Sequence, residues 1–434
     1  MVEDACVTCH RTNGIGPFPL ETYEDVARFI SMSIYSVERG KMPPWPASDD
    51  CNPIARSRHL DDETRSLFRR WRDGGMLRGD PQDFVPPAER DLRPPLSSPS
   101  LTIEMAKPYV PIQPGPGEPD EQRCFLLPET IEKETYMRAL EVLPGTGTVH
   151  HLQIHRIPAE AVAEAEAREA ESPGPGYPCA GGSASGAYNL FSWHPGAEVI
   201  RFDEDTAAYL SPGSRLLLQT HFNIDILPAG EPIPAEKTRI NLWLLPDGEI
   251  PPYVVVRFFL AGGDIHLPPG ESSVISQADT RMGDRGVERG NLFAPGEFIG
   301  HTPHMHWLGK EFKVEITRPN GDSTCLIDVP AWDFEWQLDY WYDEKDYIPF
   351  GPEDIVNVSC NYDNSRENQP FIRGIRQEPR LVEWGPSSAD EMCLNHTWVR
   401  YKREDYLAAR NVVIPEETET TEETPPADPE GQDD

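Results

Sequence analysis

The sequence predicts a multidomain chain, with a small all-α unit followed by two all-β, antiparallel, jelly-roll-like sandwich domains. Three observations point there. At 434 residues the chain is too long for one average domain. Its 46 prolines and 33 glycines favour strands and turns over long helices. Two helix-like stretches lie near the N-terminus, whereas short alternating stretches fill most of the remainder.

The N-terminal unit, residues 1–83, is built around "CVTCH", in which Cys6, Cys9 and His10 have the C-x-x-C-H spacing of covalent haem attachment. Two thiols one helical turn apart can add to the two vinyl groups, and the next histidine becomes an axial iron ligand. A thioredoxin-like pair would follow a strand, and none precedes it. A zinc ribbon would need a second C-x-x-C, which is absent. For the sixth ligand, "KMPPWPASDD" offers Met42, stiffened by two prolines. Met32 is the rival, but it sits within the helix-like stretch from Glu21 to Arg39, where a core role is expected. "LDDETRSLFRRWRDGG" reads as a closing helix, with acids in its first turn and glycines ending it. Leu67, Phe68 and Trp71 share one of its faces. The unit resembles a small class I cytochrome c. It also resembles bacterial haem modules whose motif runs C-x-x-C-H-R, "GPF-L-TYED", "MPPWPA". Histidine and methionine ligation suits electron transfer.

Only five residues precede Cys6, and the opening "MVEDACVTCH" is not a signal peptide. Haem is attached outside the cytoplasm. The expectation is therefore that the N-terminal helix and an export signal have been clipped, and that the protein is periplasmic or extracellular. No run of about 18 apolar residues is present, so no membrane span is expected. The formal charge of −34 argues against nucleic acid as a partner, because its phosphates would be repelled.

Residues 84–99, "VPPAERDLRPPLSSP" and its flanks, read as a proline-rich linker. Stretches such as "HHLQIHRI", "SRLLLQTHFNID" and "EFKVEITRPNGD" then read as strands. "AEAVAEAEAREAE" is a helical, acidic insertion. A second proline cluster divides the β region into 100–232 and 233–412, and 413–434 is expected to be a disordered acidic tail.

Three histidine groups lie on these strands. His150 and His151 are adjacent in "GTGTVHHLQIHRI". Neighbours on a regular strand face oppositely, so both can hold one metal only if the strand start is irregular. In "LLLQTHFNID", His221 shares the more polar face with Gln219 and Asn223. In "HTPHMHWLGK", His304 and His306 project together, while Met305 points the other way. Pro303 breaks the strand before them, which makes His301 a loop residue or a partner to a ligand. Zinc also accepts three histidines, so ligand type alone leaves the metal open.

The order of these groups resembles the copper type II, ascorbate-dependent monooxygenases, the family of peptidylglycine α-hydroxylating and dopamine β-monooxygenases, over roughly residues 100–412. The resemblance implies two copper ions. His150, His151 and His221 match the electron-relay site. His304 and His306, followed by "LGK", match the oxygen-activating site with Met392 of "ADEMCLNH", which makes these three the catalytic residues. Two imidazoles and a thioether favour Cu(I). The resemblance further implies a Cys360–Cys393 disulfide beside Met392. Cys124 and Cys179 are a candidate bridge by parity, and Cys51 and Cys325 are unassigned. Cysteine use fits an oxidising compartment.

The implied reaction hydroxylates an organic C–H bond with O2. Two electrons arrive through the c-type haem, or from an external donor such as ascorbate or a redox protein. Peptide-hydroxylating relatives carry an arginine two residues before the His-x-His, where this chain has Thr302, so a C-terminal glycine peptide is disfavoured. Gln219 matches a polar position near the coppers. Two other readings remain: a non-catalytic periplasmic electron-transfer or copper-binding protein, and a structural surface module in which the histidines are ordinary strand residues.

Overall fold

The computed structural model describes all residues except 13–15, 84–95, 113–120, 180–183, 225–226, 228–229, 285–294, 373 and 411–434. The acidic tail and most of the linker therefore lie outside the described residues.

The expected series of a small all-α cytochrome c-like domain and two separate sandwiches is not what the chain forms. Strands make up 38% of it and helices 16%, and among the described residues the α-helices run from only 4 to 16 residues. The helix readings near the N-terminus hold locally. Tyr23–Glu38 is capped by Thr22 and Asp25 and buries Ile30, Ile34 and Val37. Asp62–Asp73 starts at Asp61, whose carboxylate accepts the Thr64 N–H, and stops at Gly74. Met32 is 57% exposed, so it is not the core residue its helical position suggested. Leu67 is also exposed, leaving Phe68 as the buried residue of its face.

These helices share only a small cluster, with Ala5, Leu60 and Phe68. The segment between them lies instead against the β structure. Cys51 is disulfide-bonded to Cys325, and the backbone N–H groups of Ser48 and Ala55 donate to the carbonyls of Asp328 and Trp341 at 2.8 and 2.7 Å. Trp45 packs edge-on to Tyr340, and Ala47 belongs to the large core. The N-terminal region is thus an appendage fastened to a β body.

Ten strands form one sheet, in which Leu101–Glu104, Arg239–Leu244, Thr135–Leu143, Thr206–Leu210, Tyr253–Ala261, Leu394–Lys402, Gly296–His304 and Tyr340–Trp341 are successive neighbours. This sheet runs through both sequence halves, and residue 232 falls between strands that share it. Its middle strands are apolar on both faces. Along Tyr253–Ala261, Val254, Val256, Phe258 and Leu260 enter the core shared with a four-stranded sheet that includes Gly309–Thr317 and Ile355–Tyr362. Val255 faces the other core, shared with a five-stranded sheet that includes Val149–Ile157 and Arg215–Phe222. A strand buried on both sides reads as a continuous apolar run, as "YVVVRFFLA" does. Two cores on one sheet replace the two separate sandwiches.

Candidate metal centres

The five-stranded sheet carries the first histidine group. His221 pairs in register with His151, and Gln219 with Gln153, so these side chains share a face. His150 has the opposite parity. It reaches the same place because the register shifts between Val149 and His151, which is the irregular strand start that an adjacent pair requires. One ligand nitrogen from each of His150, His151 and His221 lies within 4.8 Å of the others. The Nδ1 atoms of His150 and His151 are 3.2 Å apart, so at most one proton sits between them and a lone pair faces inward. Burial, reinforced by His221 and His150, holds the His151 imidazole neutral, well below the ordinary range.

The ten-stranded sheet carries the second group. His304 ends its strand and His306 follows in the turn, with ring centroids 5.1 Å apart. Met305 between them is fully buried in the opposite core, as alternation predicts. Gln337 donates its amide to the Phe334 carbonyl, which turns Oε1 towards His304 Nδ1 at 2.6 Å. His306 Nδ1 donates to the Asp390 carbonyl at 3.1 Å. Both contacts place the proton on Nδ1 and the lone pair on Nε2, the arrangement of a metal-ligating imidazole. Burial lowers His304 to about 4.

Met392 is held from both sides. Its carbonyl accepts the Tyr362 hydroxyl at 2.9 Å, and Cys393 is bonded to Cys360, as the resemblance implied. The buried Glu391 accepts the backbone N–H groups of His306 and Leu308 at 2.8 and 2.6 Å, tying the methionine segment to the histidine turn. Burial pushes this carboxyl up to about 8.

Both groups open into one cavity of about 570 Å³ between the ten- and five-stranded sheets. His151 and His221 line one wall, and His304, His306 and Met392 the other. The rings of His151 and His304 are 6.0 Å apart. The lining also holds residues that sequence reading did not single out, namely His155, His396 and Arg257. His396 could have been suspected from "CLNH", whereas Arg257 enters only through strand register, opposite Trp398.

The expectation for His301 is corrected here. His301 is a fully buried strand residue, because the strand continues through Pro303 to His304. Its Nδ1 accepts from Asn395 at 2.8 Å, and its ring packs near Phe298 and Tyr342. Thr302 donates to Asp339 at 2.5 Å. Cys124 and Cys179 are bonded, as are Cys51 and Cys325. At the N-terminus, Cys6 and Cys9 are unbridged and share a turn in which the His10 N–H donates to the Cys6 carbonyl. His10 Nδ1 donates to the Phe18 carbonyl at 2.9 Å, and Met42 packs on the cluster that Cys6 also touches.

No family model matches this chain, and no curated protein does. Among solved structures, the major capsid protein P2 from bacteriophage PM2 is 7% identical over 70% of this chain and 98% of its own, with a TM-score of 0.28. The Sputnik virophage structure is 7% identical over 79% and 96%, at 0.19. The infectious bursal disease virus VP2 subviral particle is 8% identical over 71% and 72%, at 0.16. Likeness at these scores carries no argument about this chain.

The three disulfides belong with an oxidising compartment. No helix among the described residues is long and apolar enough to cross a membrane.

Proposed function

We propose that the chain is a copper-dependent monooxygenase that hydroxylates a C–H bond of a small organic substrate. The observation that carries this reading is the convergence of two donor sets, His150, His151 and His221 with His304, His306 and Met392, on one cavity from separate walls. The overall change is R–H plus O2, two electrons and two protons to R–OH and water. Copper at these positions would supply one-electron redox chemistry and oxygen activation. The imidazoles present neutral lone pairs, and the thioether favours the reduced metal.

Cys6 and Cys9 would hold a haem covalently and His10 and Met42 would bind its iron, and such a group would supply one-electron transfer; ascorbate or a redox protein is the other source of electrons. The unbridged thiols and the bonding of His10 Nδ1, which leaves Nε2 for iron, support this. Covalent haem and three disulfides together favour a periplasmic or extracellular site of action.

Metal content of protein exported with haem-maturation machinery tests the proposal. About two coppers per chain are expected, falling towards one in Met392→Ala or His304→Ala, because either change takes a ligand from the same site and leaves the His150–His151–His221 group intact. Iron without copper, even after loading with Cu(I), would leave a haem-carrying β protein and end the oxygenase reading.

A further inference from the structure

Arg257 is 2% exposed and lines the cavity that holds the histidine groups. It projects from the middle of the ten-stranded sheet, on the face that also presents Phe259 and Ala261. A buried guanidinium normally has a carboxylate or a full set of acceptors. Here Nη1 donates to the Asn189 side chain, whose own amide is bonded to Gln153. Nε and Nη2 are buried and have no hydrogen-bond acceptor among the described residues. The ring of Trp398 lies 5.1 Å from the guanidinium carbon, which favours the cation without satisfying those N–H groups. Asp339, the acid whose field it feels, is engaged by Thr302 and lies beside His194.

Nε and Nη2 form one edge of the guanidinium, the edge that grips both oxygens of a carboxylate. Arg69 uses the same two nitrogens on Glu38 elsewhere in this chain. In Arg257 that edge is the part left without a partner. Among the described residues the lining contains no aspartate or glutamate, although the chain has 73 acidic residues against 39 lysines and arginines. An anion entering the cavity therefore meets a cation and no opposing carboxylate. Phe259, Ala261 and Leu394 beside Arg257 offer an apolar surface.

We propose that the cavity is a binding site for a carboxylate with an apolar body, gripped by the Nε–Nη2 edge of Arg257 once the side chain turns these two buried nitrogens towards the cavity, with the body against Phe259, Ala261 and Leu394. That this carboxylate is the substrate rests on the oxygenase reading; the anion site does not. Anchoring at Arg257 would place a carbon of the apolar body within the same cavity as His304, His306 and Met392.

Calorimetry on the full chain stripped of metal tests the site without reference to copper. The probes are 3-phenylpropionate, its primary amide and 3-phenylpropylamine, with acetate and 5-phenylpentanoate bracketing length. The acid should bind about tenfold or more tighter than the amide, the margin expected of a charge-assisted bidentate contact, and the amine should not bind. Arg257→Met should bring the acid and amide together, while Arg257→Lys keeps part of the preference. If Arg257→Met does not fold, the acid-to-amide ratio in the unaltered chain and in Arg257→Lys decides. Equal binding of acid and amide, no binding of any acid, or a preference that survives in Arg257→Met overturns the proposal. Copper content measured on the same preparation before the metal is stripped separates this outcome from failure of the oxygenase reading.

Discussion

Oε1 of Gln337 lies 2.6 Å from Nδ1 of His304, and the amide of the same glutamine is anchored on the Phe334 carbonyl. The glutamine is therefore oriented from behind, and it fixes both the tautomer and the plane of the imidazole. Replacing it with leucine removes the acceptor and frees the ring to rotate. Gln337→Leu should weaken copper at the His304–His306–Met392 group by about 10- to 100-fold, the usual effect of losing such a support. The His150–His151–His221 group should keep its metal. Copper titration with a competing chelator reads both sites, and equal loss at the two would mean that Gln337 acts on the fold instead.

Much of this site was legible in the sequence, for a local reason. Parity along a strand separates Met305 from His304 and His306, and the structure places them on opposite sides of the sheet. The run "PGTGT" hinted at the irregularity that brings His150 round beside His151. What escaped depends on contacts distant in sequence. Arg257 faces the cavity because its strand pairs with Leu394–Lys402, some 140 positions on, in a register that no local pattern encodes. The N-terminal helices follow from their caps, but their attachment to the β body follows from a disulfide spanning 274 positions and from Trp45 meeting Tyr340. His301 was misplaced because Pro303 was read as a break. A proline need only lack an N–H, and here the strand accommodates it.

The Cys51–Cys325 bond makes a separable prediction. It joins the segment between the two longer N-terminal helices to the four-stranded sheet, alongside the Ser48 and Ala55 backbone bonds. With a protease site inserted between residues 84 and 95, cleavage should leave the two pieces linked on a non-reducing gel and separate them after reduction. Cys51→Ser combined with Cys325→Ser should lower stability by about 2–5 kcal/mol, through the loop entropy restored to the unfolded chain. Separation of the pieces without reductant would show that the bond does not form.

Acid should destabilise the fold through His301. Burial holds this imidazole at about 3, against 6.5 for the exposed group, with the Asn395 hydrogen bond working the other way. Between those values the unfolded chain binds a proton at this position and the native chain does not. Stability from this residue is therefore complete above about pH 6.5 and is lost as pH falls towards 3, by roughly 4–5 kcal/mol at most. His301→Gln keeps an acceptor for the Asn395 amide and cannot protonate. In metal-free protein, the fall in Tm from pH 7.5 to 4.5 should be smaller for His301→Gln than for the unaltered chain, whatever the variant costs at pH 7.5. The substitution leaves the cavity histidines in place, so the difference between the two curves isolates position 301, and parallel curves would refute the assignment.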